Sequence, residues 1–142
     1  MIDEIGIFSD GKKQIHVAGE ITFSGHDIAE VLLAKAAMQA GQKILLNNLG
    51  LKEDDLSAIC IAGSFGNHID PKSAKAVGLI PKIDLEKVKS ICNAAGEGAR
   101  EMLLSRKIRA EAEKVANRIE YIELMSLEYG FNDIYVESMH LG

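Results

Sequence analysis

Gly63, Ser64, Gly66 and Asn67 follow directly on a short apolar run, Ala58 to Ala62, and precede Asp70-Pro71. A run that short, ending at a glycine, reads as a buried strand. Glycine tolerates a positive φ and carries no Cβ, so backbone there can come close to a ligand. Pro71 suits the first position of a new helix. Strand, glycine turn, polar cluster and helix is how α/β folds place a phosphate or nucleoside at strand C-termini. A Gly-x-x-Gly after a strand also reads as a plain tight turn. A second stretch repeats the arrangement. Val88 to Cys92 reads as a buried strand that empties into Asn93-Ala94-Ala95-Gly96-Glu97-Gly98-Ala99, a run of mostly small residues. For Asn93 and Gly96, ligand approach and tight helix-on-sheet packing are equally good readings. Neighbouring turns of one parallel sheet open into one crevice, so the pairing favours a shared site. The chemistry implied is binding. No residue stands out as a general base, and no metal-ligating cluster is evident.

The elements that must position these turns are legible along the chain. Glu4 to Phe8 and Gln14 to Ala18, separated by Asp10-Gly11, read as a hairpin, and Glu20 to Phe23 as a further short strand or an extended lead-in. His16 reads as a solvent-facing or satisfied histidine. Ser24, with Asp27 three residues on, reads as a helix cap of the capping-box type. The helix that follows should stop at Gly50. Its apolar residues, from Ile28 through Leu46, form more than one stripe, which predicts burial on more than one side or a covering partner. Gly41 marks a kink or a close contact. Lys35 is its one charge in the apolar middle, read as a snorkelling stem or as a nucleotide contact.

Further along, Lys52 to Leu56 and Asp84 to Lys87 read as short turns. Pro71 to Val77 reads as a helix ended by Gly78, with Leu79-Ile80-Pro81 as an apolar loop. Asp70 reads as the cap of the Pro71 helix, and His68 as shaping the turn. Ser105 is expected to cap a surface helix whose single stripe is Ile108, Ala112, Val115 and Ile119. Tyr121 to Met125 reads as a third strand, and Phe131 to Met139 as a last amphipathic helix. Antiparallel strands followed by alternating helices and strands describe an α/β fold, a mixed sheet with helices on both faces, in the order of ribonuclease H-like folds.

Composition narrows the function. The length of 142 residues suits one domain, and 47% apolar residues suffice for a core. The absence of Trp and the net charge of −5 argue against nucleic acid as a partner. No apolar run approaches a membrane span, and Met1-Ile2-Asp3-Glu4-Ile5 lacks the pattern of a signal peptide, so a cytoplasmic location is expected. Cys60 and Cys92 fall within predicted strands and form no Cys-x-x-Cys pair, so both are expected to be reduced core thiols.

The run Ile59-Cys60-Ile61-Ala62-Gly63-Ser64-Phe65-Gly66-Asn67 resembles the adenosine motif of the acetate and sugar kinase, heat-shock chaperone and actin superfamily, with Ala62 in place of the usual first glycine. Within that superfamily, Leu33-Ala34-Lys35-Ala36-Ala37, Ile61 to Pro71, Gly78-Leu79-Ile80-Pro81, Asn93 to Ala99 and Glu120 to Leu124 look like the reductive activators of corrinoid proteins. The match runs from about Ile21 to the end of the chain. As a family these activators carry an iron–sulfur domain and a two-lobed ATP-binding domain, and they couple ATP hydrolysis to reduction of cob(II)amide to cob(I)amide on a corrinoid protein.

The resemblance implies that residues 1–142 are one domain, the second lobe of that actin-type ATPase domain. It implies ATP with Mg, shared with the other lobe, and an iron–sulfur cluster only in the full-length protein. The implied partners are a corrinoid protein and the upstream lobe, with a homodimer permitted. Gly63, Ser64, Gly66 and Asn67 would line the adenosine and α-phosphate side, chiefly through backbone N–H groups. Asn93 and Gly96 would close the crevice, and Lys35 would reach the nucleotide. The Asp-x-Gly loop of the first lobe and the cysteine cluster are absent from this sequence. The chain alone is therefore not expected to hydrolyse ATP well, and it reads as a piece cut from a longer protein or one part of a split one. Two alternatives stand beside this reading: a lobe of a radical-dehydratase activator, and a docking module without nucleotide binding.

Overall fold

A computed structural model describes residues 14–126 and 130–140. The expected strand Glu4 to Phe8 and the Asp10-Gly11 turn lie outside the described residues. Strand β1 (Gln14–Ala18) pairs with its successor, β2 (Ile21–Ser24), in an antiparallel hairpin with Ile15 opposite Phe23. Gly19, at φ 55°, takes the left-handed turn between them. Glu20 to Phe23 is thus a true strand partner rather than a lead-in.

Helix α1 (Gly25–Asn48) starts and stops where its local chemistry dictates. The Ser24 hydroxyl accepts the Asp27 N–H at 3.2 Å, and the Asp27 carboxylate accepts the Ser24 N–H at 2.8 Å, closing a capping box. At the other end Gly50, at φ 65°, donates to Asn47 O at 3.0 Å and Leu51 donates to Leu46 O at 2.9 Å, a Schellman ending. Ala36, Ala40 and Ile44 recur every fourth residue and are the buried line of the helix. Leu33, Met38 and Leu45, on its other sides, are exposed. Gly41 is a close contact rather than a kink: a Cβ there would stand 3.5 Å from Leu124 Cδ1.

Two short helices follow a three-residue strand, β3 (Ile59–Ile61): α2 (Gly63–His68) and α3 (Pro71–Val77). The segment after β3 was expected as a turn and is itself helical. Gly78, at φ 80°, ends α3, and a Cβ on it would meet the Gln39 amide and the Lys35 stem of α1. The following apolar loop supplies core side chains, Ile80 and Ile83, against Ala74. Two 3-10 turns, Glu53–Asp55 and Leu85–Lys87, occupy the expected turn positions. Strand β4 (Val88–Ser90) lies parallel to β3, and α4 (Ala94–Leu104), α5 (Arg106–Ala116) and α6 (Phe131–Glu137) complete the order. The antiparallel and parallel pairings form two separate two-stranded sheets among the described residues.

Two expectations give way. Tyr121 to Met125 is not a strand: the backbone is irregular and turns at Leu124, with Ser126 donating to Glu123 O at 3.0 Å. The surface helix α5 forms as expected, its Ser105 hydroxyl accepting the Ile108 N–H at 3.3 Å, and Val115 and Ile119 are exposed. Lys35 does not snorkel. It is 2% exposed, and its ammonium donates to Ser138 O at 2.8 Å and to His140 O. Lys43 adds a 3.2 Å bond to the Ser138 hydroxyl. Lysines of α1 thus satisfy the carbonyls beyond the C-terminus of α6, where no intrahelical donor exists, and so fasten α6 to α1.

Replacing Lys35 by Met keeps the stem and removes the ammonium. That leaves two carbonyls without their donor, so a loss of about 1–3 kcal/mol is expected. Denaturant unfolding measures the loss, and hydrogen exchange should show α6 amides opening first.

Candidate functional site

The parallel pair is in strict register: Ile59 with Val88, Cys60 with Lys89, Ile61 with Ser90. The ladder does not stop at the strand ends. Ile91 donates to Ile61 O at 3.0 Å, and Gly63 donates to Cys92 O at 2.6 Å. Both chains then leave the sheet together, one into α2 and the other into α4. The Cys92 carbonyl also accepts the Ala94 N–H at 3.0 Å. With Asn93 at φ −81°, ψ 67°, this closes an inverse γ-turn. Cys92 itself takes φ 48°, left-handed backbone that a non-glycine residue adopts rarely.

Gly66 is buried where the first turn leaves the sheet. A Cβ on it would stand 2.3 Å from Ile61 O and 3.3 Å from Ser90 Oγ. The Ser90 hydroxyl donates to Gly66 O, a second tie between the β4 end and α2. On the other turn, Asn93 Oδ1 caps α4 by accepting the Gly96 N–H at 3.1 Å.

Gly63, Ser64, Gly66, Asn67, Asn93 and Gly96 are therefore carried by two turns that hydrogen bonds hold side by side. Of the four residues expected to offer backbone N–H groups, Gly63 has its own taken by the Cys92 carbonyl, and on the other turn the Gly96 N–H goes to the Asn93 cap. The side chains of Ser64, Asn67 and Asn93 are exposed. Lys35 is not brought to these turns. It lines a separate cleft with Gln39, Lys43, Lys75 and Lys82.

Asp70 caps α3, accepting the Ser73 N–H at 2.8 Å and the Ser73 hydroxyl at 2.7 Å. These two bonds hold its carboxyl below the ordinary value of 3.8. His68, the last residue of α2, is exposed. Neither thiol is a core group: Cys60 and Cys92 are both free and exposed, because β3 and β4 form only a two-stranded sheet and Cys92 lies in the turn beyond it. No sequence pattern announced the Cys92 turn, which depends on a non-glycine residue with positive φ. Among the described residues no group of three or more His, Cys, Asp or Glu could hold a metal ion, and no helix is long and apolar enough to cross a membrane.

Two predictions follow from this geometry. Gly66→Ala forces a Cβ into a backbone oxygen, and overpacking costs about 1–3 kcal/mol. Gly96→Ala meets only the Asn93 side chain, at 2.4 Å, which can rotate away at the expense of its cap, so the loss should be nearer 1 kcal/mol. Thermal unfolding of both variants should rank Gly66→Ala as the worse; equal losses contradict the close approach. The second concerns Asp70. Its folded pKa lies below the unfolded one, so its contribution is complete above 3.8 and is lost as pH falls through the lower folded value. Asp70→Asn should remove that acid-dependent component from α3, read by NMR shifts of Ser73 and Ala74.

Comparison with known proteins gives the family. A family model described as the C-terminal domain of RACo, the ASKHA domain, matches residues 4–142. The corrinoid activation enzyme RamQ of Eubacterium limosum is 42% identical over 105 residues, which cover 74% of this chain and 18% of that protein. Among solved structures, a reductive activator for corrinoid, iron-sulfur protein superposes with a TM-score of 0.74 at 36% identity, over 84% of this chain and 19% of its own. The chain thus spans less than a fifth of the length of either relative.

Proposed function

The chain belongs to the family of the C-terminal ASKHA domain of RACo, and from that premise we propose that it is the adenosine-side lobe of the ATP cleft in a reductive activator of a corrinoid protein. The reading is supported above all by the Gly63 to Cys92 hydrogen bond, which holds two turns of small residues at one edge of a parallel pair. In this role Gly66 lets α2 pack close against the end of β3, and Gly96 leaves room for the Asn93 cap, so that both turns stand side by side. The Ser64 hydroxyl, the Asn67 side chain and the Asn93 amide nitrogen donate to the ribose and α-phosphate. ATP with Mg, shared with a complementary lobe, supplies the free energy for an uphill electron transfer to the corrinoid. An iron–sulfur centre elsewhere in the full-length activator delivers the electron.

The lobe's own contribution is coupling. Nucleotide drives the transfer only if it favours one arrangement of activator and corrinoid protein over another. A crevice whose walls are tied to two different helices, α2 and α4, is suited to transmit that preference. Both relatives carry corrinoid activation in their names, which favours this reading over a radical-dehydratase activator.

The test is calorimetric titration of Mg-ATP into the chain alone and into the chain joined to the complementary lobe of a related activator. Binding is expected in the joined form. Loss of two hydrogen bonds in the Ser64→Ala, Asn67→Ala double variant should weaken it about tenfold, roughly 1.4 kcal/mol. Both positions are exposed, so the variant should fold. Absence of binding in both forms sinks the proposal and leaves a docking module that does not bind nucleotide.

A further inference from the structure

A cleft of about 330 Å³ lies between α1, the end of α3, the Pro81–Lys82 loop and His140. None of the crevice residues lines it. Lys35, Lys43, Lys75 and Lys82 all do, in a chain whose net charge is −5. We propose that this cleft is an anion site, built to take a phosphate group through the ammonium groups of Lys35, Lys43, Lys75 and Lys82. It is independent of the nucleotide reading above, since it uses none of the same residues.

Lys35 is 2% exposed, held in place by Ser138 O and His140 O, and retains one N–H beyond those two bonds. Lys43 is fixed by the Ser138 hydroxyl and Lys75 by Ile83 O at 2.5 Å, each retaining two N–H groups. Among the described residues the Lys82 ammonium makes no hydrogen bond, although its backbone N–H is held by Glu53 at 3.0 Å. Three lysines are thus pinned by neutral acceptors, oriented but not neutralised. Among the described residues, the carboxylates facing the cleft are Glu53 and Glu137, and His140 is the remaining titratable group. Four ammonium groups against those two carboxylates give the described lining a positive excess. Burial and the charges of Lys43 and Lys82 push the Lys35 ammonium below its usual range, a repulsion that a bound anion relieves. A phosphate, with several acceptor oxygens, can take N–H groups from more than one lysine at once.

Inorganic phosphate, titrated into the full chain at fixed ionic strength and followed by amide NMR, is the probe. Saturable shifts at Lys75, Gly78 and Lys82 are expected. Lys82→Gln, which removes no protein hydrogen bond, should weaken binding about tenfold, the scale of one charge-assisted bond. Lys107→Gln, on exposed α5, should not change it. A parallel titration with AMP separates the two sources of phosphate. If AMP binds here and free phosphate does not, with the same Lys82 dependence, the cleft takes a phosphate carried on a larger molecule. Shifts of equal size in Lys82→Gln, or no saturable shift with either probe, overturn the site. Because the crevice variants leave this cleft intact, failure of ATP binding there and failure of phosphate binding here are separate results.

Discussion

One backbone oxygen organises the site. The Cys92 carbonyl accepts from Gly63 on the neighbouring strand and from Ala94 on its own. The first bond continues the parallel ladder one step past the last paired residues; the second turns the chain into α4. A three-residue parallel pair has little holding power of its own, so bonds added at its end carry a large share of its definition. The cost is local: Cys92 sits at φ 48°, a conformation that side chains with a Cβ take at an expense of roughly 1–2 kcal/mol. Strain of this kind persists only where surrounding bonds over-determine it. Here the bonds to Gly63 and Ala94, and the Asn93 cap on Gly96, do so.

Much of this was legible in the sequence because it is local chemistry. The Ser24 and Asp27 box, the Asp70 and Ser105 caps, and the glycine endings at Gly50 and Gly78 each depend on residues three or four positions apart. Both strands of the parallel pair were placed by their short apolar runs and glycine-containing exits, and so was their shared edge. The failures have a common cause as well. Tyr121 to Met125 is mostly apolar, as a strand would be, but a strand needs an edge supplied from elsewhere. Cys60 and Cys92 look like core residues, but burial depends on a second layer over a two-stranded sheet. The fate of Lys35 was settled by residues 103 and 105 positions away, a separation no periodicity encodes. The helical turn at Gly63–His68 was read as a loop because its glycines and polar residues favour turns, and the ties to Ser90 and Cys92 override that preference.

The packing is uneven in an informative way. Ala36, Ala40 and Ile44 give α1 one buried line, while Leu33, Met38 and Leu45 stay exposed on its other sides. Leu103, Leu104, Val115 and Ile119 leave apolar surface along α4 and α5 and just beyond. Scattered exposed apolar residues are ordinary, but a contiguous apolar surface points to a partner surface. The matched relatives are more than five times the span aligned here.

The two clefts differ in what defines them, and that difference bears on how each can act. The nucleotide crevice proposed at the strand ends would be made of backbone, between two turns held by main-chain bonds. Side-chain substitution changes what it donates, but its shape persists as long as the ladder does. The lysine cleft is made of side chains whose stems come from α1, α3 and a loop, and whose fixed ends rest on residues after α6. Its shape therefore depends on α6 remaining docked. Charge placed in that cleft acts on the same lysines that hold α6, so occupancy and docking are linked through Lys35 and Lys43. Linkage of this kind is reciprocal: whatever strengthens anion binding by favouring the docked arrangement is strengthened by it in equal measure. The crevice, tied to α2 and α4 by its own bonds, stands outside that linkage.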